Sequence, residues 1–153
     1  MLARLTYYSE AAPGLTRADV DAILAACRAR NPRLGVTGAL AWDGRYFLQV
    51  LEGHRITLTE MLLRIGADPR NRNIVLVDAR GAPRRHFADW SMADLSDFGV
   101  FAGRGEGRGG VDFQPFDLSA GQVAGLLDEA LGEALAAGHL IRTPQPATGK
   151  AMV

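Results

Sequence analysis

The stretch Phe47-Leu48-Gln49-Val50-Leu51-Glu52-Gly53 sets a glutamine in the middle of an otherwise apolar strand pattern. It follows the pair Asp43-Gly44, a strong signal for a tight turn, so it reads as the second arm of a β-hairpin. Side chains alternate between the two faces of a strand, which puts Phe47, Gln49 and Leu51 together on one face. An amide buried there without a partner costs roughly 1–3 kcal/mol, so Gln49 needs a hydrogen-bonding partner in that face. That partner is either a neighbouring backbone group or a polar ligand in the core.

Working outward, Gly35 to Trp42 supplies the first arm of the hairpin, and Leu2 to Ser9 has the character of an earlier strand. Thr16 followed by Asp19 is a helix-start signature, and Val20, Ile23, Leu24 and Cys27 recur at helical spacing. That helix is expected to end near Asn31-Pro32, because the residue before proline is pushed out of helical geometry. Leu58, Leu62 and Ile65 mark a second helix that stops before Asp68-Pro69. Asn73 to Ala79 reads as another strand, and Phe87 to Leu95 as a last short one. The order predicts an α+β fold: a ferredoxin-like β-α-β-β-α-β sheet with an additional strand and two helices on one face. Thr6, Tyr8, Tyr46, Leu48 and Val50 then project from the other face, which is too apolar to leave in water.

Beyond residues 1–96 the composition changes. Residues 97–118 contain Gly103-Arg104-Gly105-Glu106-Gly107-Arg108-Gly109-Gly110, which reads as a flexible linker. It lacks the preceding strand and following helix that a phosphate loop requires. Residues 119–140 open with Ser119 and Gln122 and carry Val123, Leu126, Leu127, Ala130, Leu131, Ala134 and Leu135 at helical spacing. This amphipathic helix is expected to cover the bare sheet face or to dock a partner. Residues 141–153 read as a frayed tail.

Lysine plus arginine equals aspartate plus glutamate at 17 each, so no whole-chain field draws in nucleic acid or an acidic membrane surface. A single cysteine, Cys27, excludes an internal disulfide and fits a reducing compartment. No apolar run approaches the roughly 20 residues of a membrane span. A soluble, cytoplasmic protein is expected. His54, His86 and His139 lack metal-ligand spacing, and no serine sits in a nucleophile elbow. A small hydrolase could use the same sheet, but the first loop has no arginine-rich phosphate cradle. What remains is a set of lone polar residues: Tyr7 and Gln49 on the helix-covered face, and Asn31 at the end of the first helix. Around an apolar slot between two helices, they suit a planar heteroaromatic ligand with carbonyls and ring nitrogens.

These residues stand in contexts that resemble the BLUF domain, a family of bacterial blue-light sensors. The match runs from about Leu5 to Met92. It includes Tyr7 with Ser9, Asn31 leading into Thr37-Gly38-Ala39-Leu40, Gln49-Val50-Leu51-Glu52-Gly53, Asp68 with Arg70, and Trp90-Ser91-Met92. The resemblance implies FAD held between the two helices, with Tyr7 as electron and proton donor and Gln49 as the hydrogen-bond switch. It implies Asn31 on the ring's carbonyl edge, with Ile23, Phe47 and Ile65 lining the slot. Arg30, Asp68 and Arg70 are implied at the ligand's periphery, and Trp90 and Met92 on the last strand as reporters of the signal. This chain departs from many members in having Arg30 and Asn71, which touches the ligand's periphery rather than the Tyr7–Gln49 pair. No substrate turnover is implied. Output is expected through a downstream signalling protein, contacted by the C-terminal helices or the outer sheet face, or through a homo-oligomer. The competing reading is a flavin- or nucleotide-binding adaptor without photochemistry.

Overall fold

The computed structural model describes residues 1–103, 114–140 and 142. Linker residues 104–113 and most of the 141–153 tail therefore lie outside the described residues. The elements are β1 (Leu2–Ala11), α1 (Arg17–Leu34), β2 (Thr37–Trp42), β3 (Tyr46–His54), α2 (Arg55–Ala67), β4 (Asn71–Gly81), β5 (Ala93–Asp94) and α3 (Ala120–Ala136). The sheet runs β4-β1-β3-β2-β5, with β1, β3, β2 and β4 antiparallel to their neighbours and β5 parallel to β2. This is the expected ferredoxin-like α+β arrangement plus one edge strand.

Alternation along β3 divides the molecule into two cores. Phe47 and Leu51 pack with Tyr7, Val20, Leu24, Cys27, Leu58 and Met61 in the layer shared with α1 and α2. Tyr46, Leu48 and Val50 point the other way, against Val123, Leu127, Ala130, Leu131 and Ala134 of α3. The amphipathic C-terminal helix thus covers the apolar sheet face, and its start is fixed by a capping box between Ser119 and Gln122. The outer sheet face, expected as a possible contact surface, is therefore covered by α3. Residues 97–103, read as spacer from composition, include a 3-10 turn at Gly99–Gly103 whose Phe101 is buried in this second core.

Two boundaries differ from expectation. Helix α1 runs through Pro32 to Leu34 and ends at Gly35, whose φ of 65° is the left-handed conformation favoured by glycine. Pro32 forfeits one backbone bond, but only within the last turn. Val20, Leu24, Cys27 and Asn31 hold that helix to the sheet by burial. The expected strand from Phe87 to Leu95 shrinks to Ala93–Asp94. Its backbone groups are claimed elsewhere: the Trp90 carbonyl accepts from Gly38 N at 3.2 Å and the Ser91 carbonyl from Asn31 Nδ2 at 2.8 Å. Trp90 and Met92 therefore do not lie on a strand. Residues two apart on a strand share a face, whereas Trp90 enters the α3 core and Met92 the α1/α2 core.

The glycine of Thr37-Gly38-Ala39-Leu40 has a steric reason. A Cβ at Gly38 would lie 2.0 Å from the Val50 carbonyl oxygen. The glutamate of the opening stretch has an electrostatic one. Glu52 is fully buried, and its carboxylate accepts from Arg4 Nη2 at 2.9 Å, Thr37 Oγ1 at 3.1 Å, His86 N at 2.6 Å and Phe87 N at 2.7 Å. Arg85 adds bonds to the Glu52 and Gly35 carbonyls at 3.0 and 2.7 Å. Removing one partner of a buried charged cluster typically costs about 3–5 kcal/mol, so Glu52→Ala is expected to lose stability on that scale in urea unfolding. An unfolding free energy within about 1 kcal/mol of the parent would show that the cluster contributes little.

Candidate functional site

A cleft of about 180 Å³ opens between α1 and α2 over the helix-covered sheet face. Its apolar lining includes Ile23, Leu40, Phe47, Met61 and Ile65, and its polar lining Tyr7, Arg30, Gln49, Asp68 and Arg70. Tyr7 and Gln49 are directly paired across β1 and β3, so strand register alone brings their side chains together. The Tyr7 hydroxyl donates to Gln49 Oε1, and Gln49 Nε2 donates to Met92 Sδ at 3.6 Å. Burial, with smaller contributions from Cys27 and Asp68, pushes the Tyr7 phenol well above its ordinary range. The hydroxyl therefore keeps its proton at any working pH and acts as the donor in this pair.

Asn31 sits one turn beyond Cys27 on α1, fully buried, but does not wall the cleft. Its Nδ2 holds the Ser91 carbonyl, while its Oδ1 has no hydrogen-bond partner among the described residues. An unpaired buried acceptor costs on the order of 1–3 kcal/mol, so it marks a place for an N–H donor. At the cleft's polar end, Arg70 grips Asp68 with Nη2–Oδ2 at 2.6 Å, and this bond holds the Asp68 carboxyl below the usual carboxylate range. Ser9 Oγ donates to Asn71 Oδ1 at 2.9 Å, fixing a further lining residue.

Of the residues singled out from sequence, the cleft brings together Tyr7, Ile23, Arg30, Phe47, Gln49, Ile65, Asp68 and Arg70. Met92 reaches the site through Gln49, and Trp90 lies on the other side of the sheet. Asn71, which the resemblance put at the ligand's periphery, also lines it, as do Ala26, Cys27, Leu40, Met61 and Arg64, which were not singled out as site residues. Helical spacing could have found several of them: Ile23, Ala26, Cys27 and Arg30 share one face of α1, and Met61, Arg64, Ile65 and Asp68 one side of α2 and its cap.

The donor set fits a planar heteroaromatic group. Apolar walls would flank its rings, and a donor–acceptor amide stands on the sheet. Fold and site together define a ferredoxin-like domain with a helix-flanked cleft for such a ligand. A family model described as sensors of blue light using FAD, BLUF, matches residues 2–93. The chain belongs to the BLUF family, a family of blue-light photoreceptors whose cofactor is a flavin.

Among solved structures, BlrB, a BLUF protein in its dark state, is 32% identical with a TM-score of 0.68, covering 87% of this chain and 96% of that one. The BlsA ground state is 25% identical with a TM-score of 0.70, covering 98% and 95%. The photoactivated adenylate cyclase subunit beta of Euglena longa is 32% identical over 97 residues, which are 63% of this chain. This chain spans only 11% of that relative's length.

Among the described residues no helix is long and apolar enough to cross a membrane, and no His/Cys/Asp/Glu group could hold a metal ion. Cys27 walls the cleft, yet burial pushes its thiol up against the opposing pull of Arg30, Arg28 and Arg70. It should therefore be inert: a thiol reagent at neutral pH is expected to modify it at least roughly a hundredfold more slowly than a free cysteine. Labelling at the rate seen in urea would mean that the cleft wall opens readily.

Proposed function

We propose that this chain is a blue-light switch in which Tyr7 and Gln49 are the photoactive pair and the segment around Met92 carries the signal out. The observation behind this reading is the buried chain of hydrogen bonds from the Tyr7 hydroxyl through the Gln49 amide to Met92 Sδ, set against the cleft. A bound flavin supplies absorption in the blue and, once excited, a strongly oxidising ring. Tyr7 would be the electron donor toward that group, and its hydroxyl proton has a path to Gln49 Oε1 along the bond already in place. With electron and proton back on Tyr7, the Gln49 amide would be left rotated or tautomerised, its donor and acceptor ends redistributed.

The remaining residues hold and orient the ligand. Ile23, Phe47 and Ile65 line the slot, the unpaired Asn31 Oδ1 suits a ring N–H, and Arg30, Asp68 and Arg70 hold the polar periphery. FAD is the flavin that the family's description names. The chain turns over no substrate in this reading. Its output is a changed contact between Gln49 and Met92, passed through Ser91 to Trp90 and so to the core beneath α3. The outer side of α3 then meets a downstream protein or a second copy of the chain.

In the flavin-loaded protein, blue light is expected to move the visible absorption band to longer wavelength and darkness to restore it. Tyr7→Phe and Gln49→Leu are each expected to abolish that shift while retaining bound flavin. A yellow parent protein with no shift would favour the adaptor reading. A shift that survives both substitutions would overturn the residue roles.

A further inference from the structure

The segment that contacts Gln49 is held from α1 by three side chains. Arg17 pairs with the Asp94 carboxylate, Arg28 Nε donates to the Met92 carbonyl at 3.3 Å, and Asn31 Nδ2 donates to the Ser91 carbonyl at 2.8 Å. At 3.6 residues per turn, positions 17, 28 and 31 fall on one side of the helix, so α1 acts as a rail along residues 91–94. The bonds differ in kind. Asn31 is fully buried, and Arg17 forms an ion pair. Arg28 is exposed and makes a single long bond, but to the backbone of the residue whose sulfur touches Gln49.

Met92 also has room to move. It does not line the ligand cleft and instead borders a second cavity of about 290 Å³, shared with Arg28, Trp90, Asp97, Phe98 and His139. Met92 is buried, but this cavity beside it offers space into which its side chain could turn. Its backbone is not laddered, since β5 begins only at Ala93. Beside core packing, the tie on its own carbonyl is the bond that acts directly on the residue whose sulfur meets Gln49 Nε2.

We propose that Arg28 is a positioning residue for the light response: its bond to the Met92 carbonyl seats Met92 against Gln49 and so favours the dark orientation of the amide. The proposal rests on the photochemical reading above, because the amide must have a second orientation for the seat to matter. Without the tie, Met92 moves toward the second cavity, Gln49 Nε2 loses its acceptor, and return from the lit state slows. Arg28 touches neither the ligand cleft nor Tyr7, so the size of the spectral shift is unaffected.

The test uses flavin-loaded protein with ¹³C-methyl methionine, the Met92 resonance being assigned through Met92→Leu. In darkness the parent is expected to give a single Met92 methyl line, Arg28→Ala a moved or broadened one, and Arg28→Lys, which restores one donor, a line close to the parent's. After a blue flash, recovery is expected to slow at least roughly threefold in Arg28→Ala, with the red shift unchanged in size, and to return to near the parent rate in Arg28→Lys. An unchanged Met92 line in Arg28→Ala overturns the proposal, as does slowed recovery that lysine fails to rescue. A parent protein with bound flavin and no red shift sinks the photochemical reading instead, and the methyl line still decides whether Arg28 seats Met92.

Discussion

A carboxylate with no exposure to water sits near the end of the central strand, and the shape of the domain follows from satisfying it. Ionised and buried, Glu52 would cost several kcal/mol without partners. Its partners come from far along the chain: Arg4 on β1, Thr37 on β2, and the amides of His86 and Phe87 in the loop after β4. Drawing those amides to β3 carries the chain across the sheet and delivers residues 90–94 to the free edge of β2. The Glu52 cluster thus brings the segment to this edge and the bonds from α1 seat it there, while strand pairing involves only Ala93 and Asp94.

The same strand carries two buried polar groups with opposite character. Glu52 is held by short, charge-assisted bonds from several directions, an arrangement that tolerates no second geometry. Gln49, three residues earlier and on the other face, has one strong bond to Tyr7 and one weak contact to a thioether. Rigid support next to a softly held amide is what a switch requires, because rearrangement then stays local instead of melting the sheet. The segment leaving the Glu52 cluster joins the two cores. Trp90 is buried beneath α3 and Met92 two residues later is buried beneath α1, so displacement of one is felt in both layers.

Most of this architecture was legible in the sequence because it rests on local periodicity. Alternation along β3 separated Phe47, Gln49 and Leu51 from Tyr46, Leu48 and Val50, and helical spacing placed Val123, Leu127 and Leu131 on one stripe. Tyr7 and Gln49 followed from the same alternation. The misses share a physical cause, namely backbone groups satisfied by distant side chains. Residues 87–92 have the composition of a strand, but Gly38, Asn31 and Glu52 claim their amides and carbonyls, and no local pattern reveals that. Pro32 fails to end α1 because burial of Cys27 and Asn31 outweighs one lost hydrogen bond. Phe101 was hidden by its glycine-rich surroundings. Arg64 carries no motif, and only the folded cleft shows that it lines the site.

The choice of glutamine at this site can be argued from donors and acceptors alone. Tyr7 is protonated and must place its hydrogen, so in the present geometry Gln49 turns its oxygen to Tyr7 and its nitrogen to the sulfur of Met92. Reversing the amide would present an N–H to the phenol oxygen, which can accept, and an oxygen to the sulfur, which cannot donate. The loss is then the N–H···S contact and the acceptor of the Tyr7 O–H, offset in part by the new N–H bond to the phenol oxygen, and a neighbouring acceptor on a ligand would take up the freed hydroxyl. The two orientations are therefore separated by an energy that a ligand's own hydrogen-bonding edge can tip either way. A glutamate would be committed to accepting when ionised, and a leucine would have no direction at all. A carbonyl in place of the Met92 sulfur would hold the amide more firmly, so the soft acceptor at position 92 is as much a part of the proposed switch as the glutamine itself.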